Sequence, residues 1–226
     1  MTGAEVFEFY RRLAASDPAP ETELDWINPY TLLVAVALSA QATDVSVNKA
    51  TGPLFAVADT PAKMVELGEE VLRGYIRTIG LYNNKAKNVM LLSRMLLDEH
   101  GGEVPADRDL LERLPGVGRK TASVVMNVAF GMETIAVDTH IFRVANRTGL
   151  APAKTPDRVQ DALEAVTPAP FRRHAHHWLI LHGRYTCKAR LPECWRCPVV
   201  DLCAYREKVL ERPAKRAVAK EKAPKL

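Results

Sequence analysis

A tight turn opening straight into an apolar helix constrains this chain more than any other stretch. It reads LPGVGRKTASVV, from Leu114 to Val125. Gly116 and Gly118 permit left-handed backbone angles, and without a Cβ they allow close approach. Pro115 presets the turn. Ala122, Val124, Val125, Val128 and Ala129 follow as a largely apolar helix that needs a core. With DRDLLER at 107–113 ahead of it, the pattern is helix, hairpin turn, helix over about 107–131. Such a turn leaves unpaired N–H groups at a helix N-terminus, which is a ready site for a phosphate. An ordinary helix–helix corner would carry the same glycines and hold no ligand.

The rest of the chain extends this helical pattern. In AEVFEFYRRLAA (4–15), Val6, Phe9, Tyr10 and Leu13 fall at i, i+3, i+4 and i+7. After a turn-rich connector, NPYTLLVAVALSAQ begins with Asn28 as a cap and Pro29 suited to the first position. Its middle is apolar almost all round, which predicts a central buried helix. Gln41 stands at its end among small residues, and Asp44 can cap the next helix. Further helices are expected at 60–67, 69–78, 84–100, 139–148, 155–166 and 170–185. Gly80 breaks the pattern before 84–100, and the turn there holds an apolar residue, Leu81. Gly80-Leu81 faintly echoes Gly116-Val117, too weakly to be a repeat. No segment sustains period-2 alternation, and IAV at 135–137 is too short for a sheet, so the expected fold is all-α.

Charge is unevenly spread. The net charge is +4 over 226 residues, yet residues 1–118 carry −6, residues 119–203 carry +5 and residues 204–226 another +5. Basicity begins at the glycine turn, which suggests one positive face for a polyanion; nucleic acid is the default candidate. A solvated basic surface would read the same way. The end, ERPAKRAVAKEKAPKL, is poor in large apolar residues, and 212–226 is expected to be a basic disordered tail. No apolar run reaches the roughly 18 residues of a membrane span. The start shows no signal-peptide pattern. The expectation is a cytoplasmic, nucleoid-associated monomer.

Three sets of residues carry candidate chemistry. Cys187, Cys194, Cys197 and Cys203 fall within one short stretch, which points to a metal site rather than a disulfide framework. Four thiolates suit zinc or an iron–sulfur cluster. A single C-x2-C favours a loop wrapped around a [4Fe–4S] cube, and its role is redox or structural. Arg184, Lys188, Arg190 and Arg196 surround the loop and can present cations to phosphates. Lys120 lies in the first turn of the helix after the hairpin, where the positive helix end disfavours an ammonium and favours a nucleophilic amine. Asp138, eighteen residues on, precedes a helix start. It reads as an N-cap, and equally as an anion able to steady positive charge on a sugar. His140, His176 and His177 read as structural.

Together LPGVGRKTA, VDTHIFRVANRTG, HHWLILHGRYTC and the cysteine loop resemble the helix-hairpin-helix DNA glycosylases, and within them the bacterial endonuclease III family. SAQATDVSVNKAT and IRTIGLYNNKA look like the same family, and the resemblance covers about residues 1–211. It implies a glycosylase and abasic-site lyase acting on double-stranded DNA with oxidised pyrimidines. It further implies that Lys120 attacks C1′ and that Asp138 is the essential aspartate. By the same resemblance Gln41 and Leu81 fill the gap left by a flipped base. The turn residues Leu114, Gly116, Val117 and Gly118 hold DNA, and the four cysteines bind a [4Fe–4S] cluster. Two all-α domains with the DNA cleft between them are implied: a six-helix block near 23–133, and a cluster domain of 1–22 plus 134–211. One rival is an adenine-mismatch glycosylase of the same superfamily, which usually lacks a lysine at the position of Lys120. A non-catalytic DNA-binding module with a redox cluster is the other.

Overall fold

The computed structural model describes residues 1–213. The tail expected over 212–226 therefore lies outside the described residues beyond Pro213. Among the described residues there are eleven α-helices, two short 3-10 turns and no strand. The helices are α1 (Gly3–Ser16), α2 (Pro29–Leu38), α3 (Asp44–Phe55), α4 (Pro61–Leu67), α5 (Glu69–Ile76) and α6 (Tyr82–His100). They continue with α7 (Arg108–Arg113), α8 (Arg119–Phe130), α9 (Thr139–Thr148), α10 (Pro156–Val166) and α11 (Arg172–Tyr185). No helix among the described residues is long and apolar enough to cross a membrane.

Local chemistry sets most of the helix starts. Thr2, Asn28, Thr43, Thr60, Asp107, Asp138 and Thr155 each accept a backbone N–H at the first turn of α1, α2, α3, α4, α7, α9 and α10. Asp44 is not the cap of α3. Thr43 takes that place, and Asp44 sits in the first turn, where its charge suits the helix dipole. The helix expected from Asn84 begins at Tyr82, and its cap residue is Leu81 in a left-handed conformation.

Two separate cores hold these helices. The first gathers Leu32, Leu33, Leu38, Leu54, Leu72, Ile76 and Leu92 around α2, which is buried along nearly its whole circumference. The second is aromatic as well as aliphatic: Phe9 and Tyr10 of α1 pack with Ile141, Val144, Trp178 and Leu179 of α9 and α11. Tyr10 Oη lies 3.0 Å from Thr167 Oγ1, and Trp178 Nε1 donates to the Asp17 carbonyl at 2.7 Å, so the rings enter the core with their polar atoms satisfied. Each such buried large side chain contributes about 1.5–3 kcal/mol. The chain crosses between the cores at Ile135-Ala136-Val137: Ala136 belongs to the first core, its two neighbours to the second. The result is two helical domains with a crevice between them.

Polar contacts fix the two domains against each other. Asn127 Nδ2 donates to the carbonyls of Met132 at 2.9 Å, Thr134 at 3.2 Å and Arg173 at 3.3 Å. Arg119 pairs with Asp161 at 2.9 Å. Arg184 of α11 binds both Glu23 of the connector and Asp44 of α3.

Candidate active site and nucleic-acid interface

The hairpin turn joins α7 to α8. Leu114 and Val117 are buried, and their N–H groups are consumed within the turn, bonding the carbonyls of Leu111 and Leu114 at 3.1 and 3.0 Å. Their side chains therefore anchor the turn to the first core. Gly116 has φ +79°, and a Cβ there would meet the Asn88 side chain of α6 at 2.8–2.9 Å. Both backbone angle and packing require glycine. Gly118 departs from the sequence expectation: its φ is −99°, an extended angle open to any residue. A Cβ on Gly118 would meet nothing within 4 Å, and no side chain caps α8. The N-terminal N–H groups of α8 are thus left uncovered.

Lys120 stands in the first turn of α8, exposed, with no carboxylate within 4.0 Å among the described residues. It lines the crevice between the domains together with Ser39, Val124, His176 and the connector residues 21–24. Asp138 is half-buried at the start of α9, and its Oδ1 accepts from the N–H groups of His140 and Ile141, both at 2.9 Å. Asp138 does not touch Lys120 and does not line this crevice. It lies just past the Ile135–Val137 segment that links the domains.

Gln41 and Leu81 are the two non-glycine residues with positive φ among the described residues, at +56° and +61°. Both are exposed, Leu81 at 60%. Holding such residues in the left-handed region costs on the order of 1–3 kcal/mol each. Their two loops are tied together by Lys85, whose Nζ donates to the Ala40 carbonyl at 2.7 Å. Burial holds the Lys85 ammonium below the usual lysine range. Sequence reasoning missed this lysine. The signal was present, because Lys85 shares the apolar stripe of α6 with Val89 and Leu92.

All four cysteines line a single cavity with His182, Thr148 and Tyr205. Burial pushes the Cys197 thiol up to about 11 and raises that of Cys203. Thiolates in this setting call for a bound cation. No three His, Cys, Asp or Glu side chains among the described residues converge closely enough for one ion. Two arginines of α9 strap the loop from below. Arg143 donates to the carbonyls of Cys187 at 2.9 Å and Gly183 at 2.8 Å. Arg147 donates to those of Lys188 and Ala189, both at 2.8 Å, and stacks over Tyr205. A Cβ on Gly183 would meet His140 Cβ at 2.8 Å, so α11 crosses α9 where only glycine fits. These contacts have no sequence signature, being 40 residues or more apart.

Of the four cations around the loop, Arg184 is held by Glu23 and Asp44, while Lys188 and Arg196 pair with Glu193. These three are paired within the protein, whereas Arg190 is exposed and in no ion pair among the described residues. His176 and His177 are buried, in line with a structural reading, and His140 is half-buried against Arg143.

Comparison with known proteins identifies this arrangement. The family described as HhH-GPD superfamily base excision DNA repair protein matches residues 34–169. Endonuclease III of Escherichia coli (strain K12) is 60% identical over 209 residues, covering 92% of this chain and 99% of that relative. Endonuclease III of Treponema pallidum (strain Nichols) is 57% identical over 198 residues, with 88% and 94% covered. A solved structure of a trapped endonuclease III–DNA covalent intermediate superposes with TM-score 0.85 at 45% identity, covering 90% of this chain and 96% of that one. A thermostable thymine-DNA glycosylase gives TM-score 0.77 at 25% identity, with 90% and 94% covered. The chain belongs to the endonuclease III family of the HhH-GPD superfamily of base excision DNA repair proteins.

Proposed function

We propose that Lys120 is the nucleophile of a DNA glycosylase and abasic-site lyase that removes oxidised pyrimidines in base excision repair, with Asp138 as its anionic partner. Membership of the endonuclease III family carries the activity. The observation that carries the residue assignment is an exposed lysine, paired with no carboxylate among the described residues, at the uncapped start of α8 and on the crevice between the domains. The target nucleotide leaves the stack at a cost of a few kcal/mol, least for a damaged base. Gln41 and Leu81, pre-set in strained exposed turns, enter the space it vacates. A backbone phosphate sits on the free N–H groups of α8.

Lys120 Nζ attacks C1′, and the bond from C1′ to the base breaks, its electron pair leaving with the base. Opening of the sugar leaves a Schiff base between Nζ and C1′. Loss of a proton from C2′ then expels the 3′ phosphate with the C3′–O electron pair, cutting the strand. The Asp138 carboxylate steadies the positive charge on the sugar and the amine.

Cys187, Cys194, Cys197 and Cys203 would hold a [4Fe–4S] cluster. All four line one cavity, which supports a single centre held by four thiolates. Bound there, the cluster would cross-link the loop strapped to α9. The two cores support a division into 23–133 and 1–22 plus 134–211. Lys120→Gln should abolish both base excision and the borohydride-trapped adduct on an abasic duplex while DNA binding survives. Trapping that persists in this variant would refute the assignment.

A further inference from the structure

A lysine is an unexpected occupant of the first core. Lys85 is 8% exposed on the buried stripe of α6, and no carboxylate pairs with it among the described residues. An ammonium without a counter-charge is costly to bury. What its Nζ reaches is the Ala40 carbonyl, at 2.7 Å. Ala40 and Gln41 are the central residues of a turn that the Ala42 N–H closes onto the Ser39 carbonyl at 3.0 Å. The Ala40 carbonyl and the Gln41 N–H share one peptide plane, so the direction of that carbonyl and the φ of Gln41 are set together. Gln41 keeps φ at +56° without being glycine. A charge-assisted hydrogen bond on the Ala40 carbonyl supplies the restraint. The backbone N–H of the same lysine makes the first hydrogen bond of α6, to the Leu81 carbonyl, at 3.1 Å. One residue therefore grips both loops. At the other end of this helix pair, Tyr30 Oη of α2 lies 2.6 Å from Ser93 Oγ of α6. The two helices run antiparallel and are fastened at both ends, which gives the loops a stiff base.

We propose that Lys85 is a positioning residue for base extrusion, fixing Gln41 and Leu81 relative to each other so that both exposed side chains enter the duplex as one unit. This rests on the reading of Gln41 and Leu81 as the residues that fill the vacated space. Unstacking a nucleotide is costly, and a filler offsets that cost best when it is ordered before the stack opens. Two loops moving independently would each lose conformational freedom on entering the duplex; loops gripped beforehand have already lost it. Lys85 acts through the backbone of these loops, so its removal matters only while Gln41 is there to be positioned.

The test is a double-mutant cycle on single-turnover excision of thymine glycol from a duplex, with wild type, Lys85→Met, Gln41→Ala and the double variant. Methionine keeps an unbranched apolar stem and removes the donor. Lys85→Met should slow excision about tenfold. On the Gln41→Ala background the same change should cost less than about twofold, because the residue it positions is already gone. A second readout follows entry of the side chains directly. 2-Aminopurine placed opposite a non-cleavable tetrahydrofuran site should brighten when saturating wild-type protein is added, and much less with Lys85→Met. A general weakening of the fold would slow excision equally on both backgrounds. Equal losses of that kind, or a Lys85→Met protein with wild-type rate and fluorescence, overturn the positioning role. If Gln41→Ala itself keeps the wild-type rate and fluorescence, the reading of Gln41 as a filler fails, and the role of Lys85 falls with it.

Discussion

At the start of α9, Asp138 caps the helix by accepting two N–H groups at 2.9 Å. At the start of α8, Gly118 offers no side chain, and open space lies where one would be. Seven of the eleven helices follow the pattern of α9. A helix start with its donors consumed fixes a carboxylate in place; one with its donors free leaves them for an anion. On the proposed function, α9 positions a charge and α8 receives one. Lys120 rides on the receiving helix.

Substitution at Asp138 breaks this comparison most forcefully. Asp138→Asn keeps the oxygen that caps α9 and removes only the charge. Turnover on a lesion duplex should fall roughly a hundredfold with little change in Tm. Wild-type turnover in this variant would reduce Asp138 to a cap.

Gly118→Asp makes α8 resemble α9. The extended φ and open space admit the side chain, which should stabilise the helix by a few tenths of a kcal/mol. Affinity for duplex DNA should drop about tenfold, since the carboxylate takes the free donors and repels the phosphate. Filter binding decides it, and unchanged affinity would remove α8 from the interface.

The smallest effect is expected at Leu81, in the loop that Lys85 ties to that of Gln41. Leu81→Gly relieves a left-handed leucine and should stabilise the fold by about 1 kcal/mol. Thermal melts would show the gain, while excision at limiting enzyme should fall severalfold. A gain in both would mean that the strain at Leu81 serves no purpose.

Helix content was legible because caps and 3.6-residue periodicity are local. Asn28 and Pro29 marked the start of α2, and its unbroken apolar run marked the first core. The cysteine grouping and Lys120 beside Gly118 were equally visible, since their meaning lies in spacing. Gly118 was misread because a glycine reports permission, not the angle taken. Asp44 was misread as a cap because Thr43 offers the same chemistry one residue earlier. What stayed hidden depends on residues distant in the chain: Asn88 against Gly116, His140 against Gly183, and the arginine straps on the cysteine loop. His176 was legible as structural, but that its Nδ1 has no hydrogen-bond partner among the described residues is visible only in the packed structure.

The most direct measurement traps the wild-type enzyme on an abasic duplex with borohydride and maps the adduct by tandem mass spectrometry. The sugar remnant should sit on Lys120 alone. An adduct on any other amine would contradict the account of α8 as the helix that brings the nucleophile to the sugar.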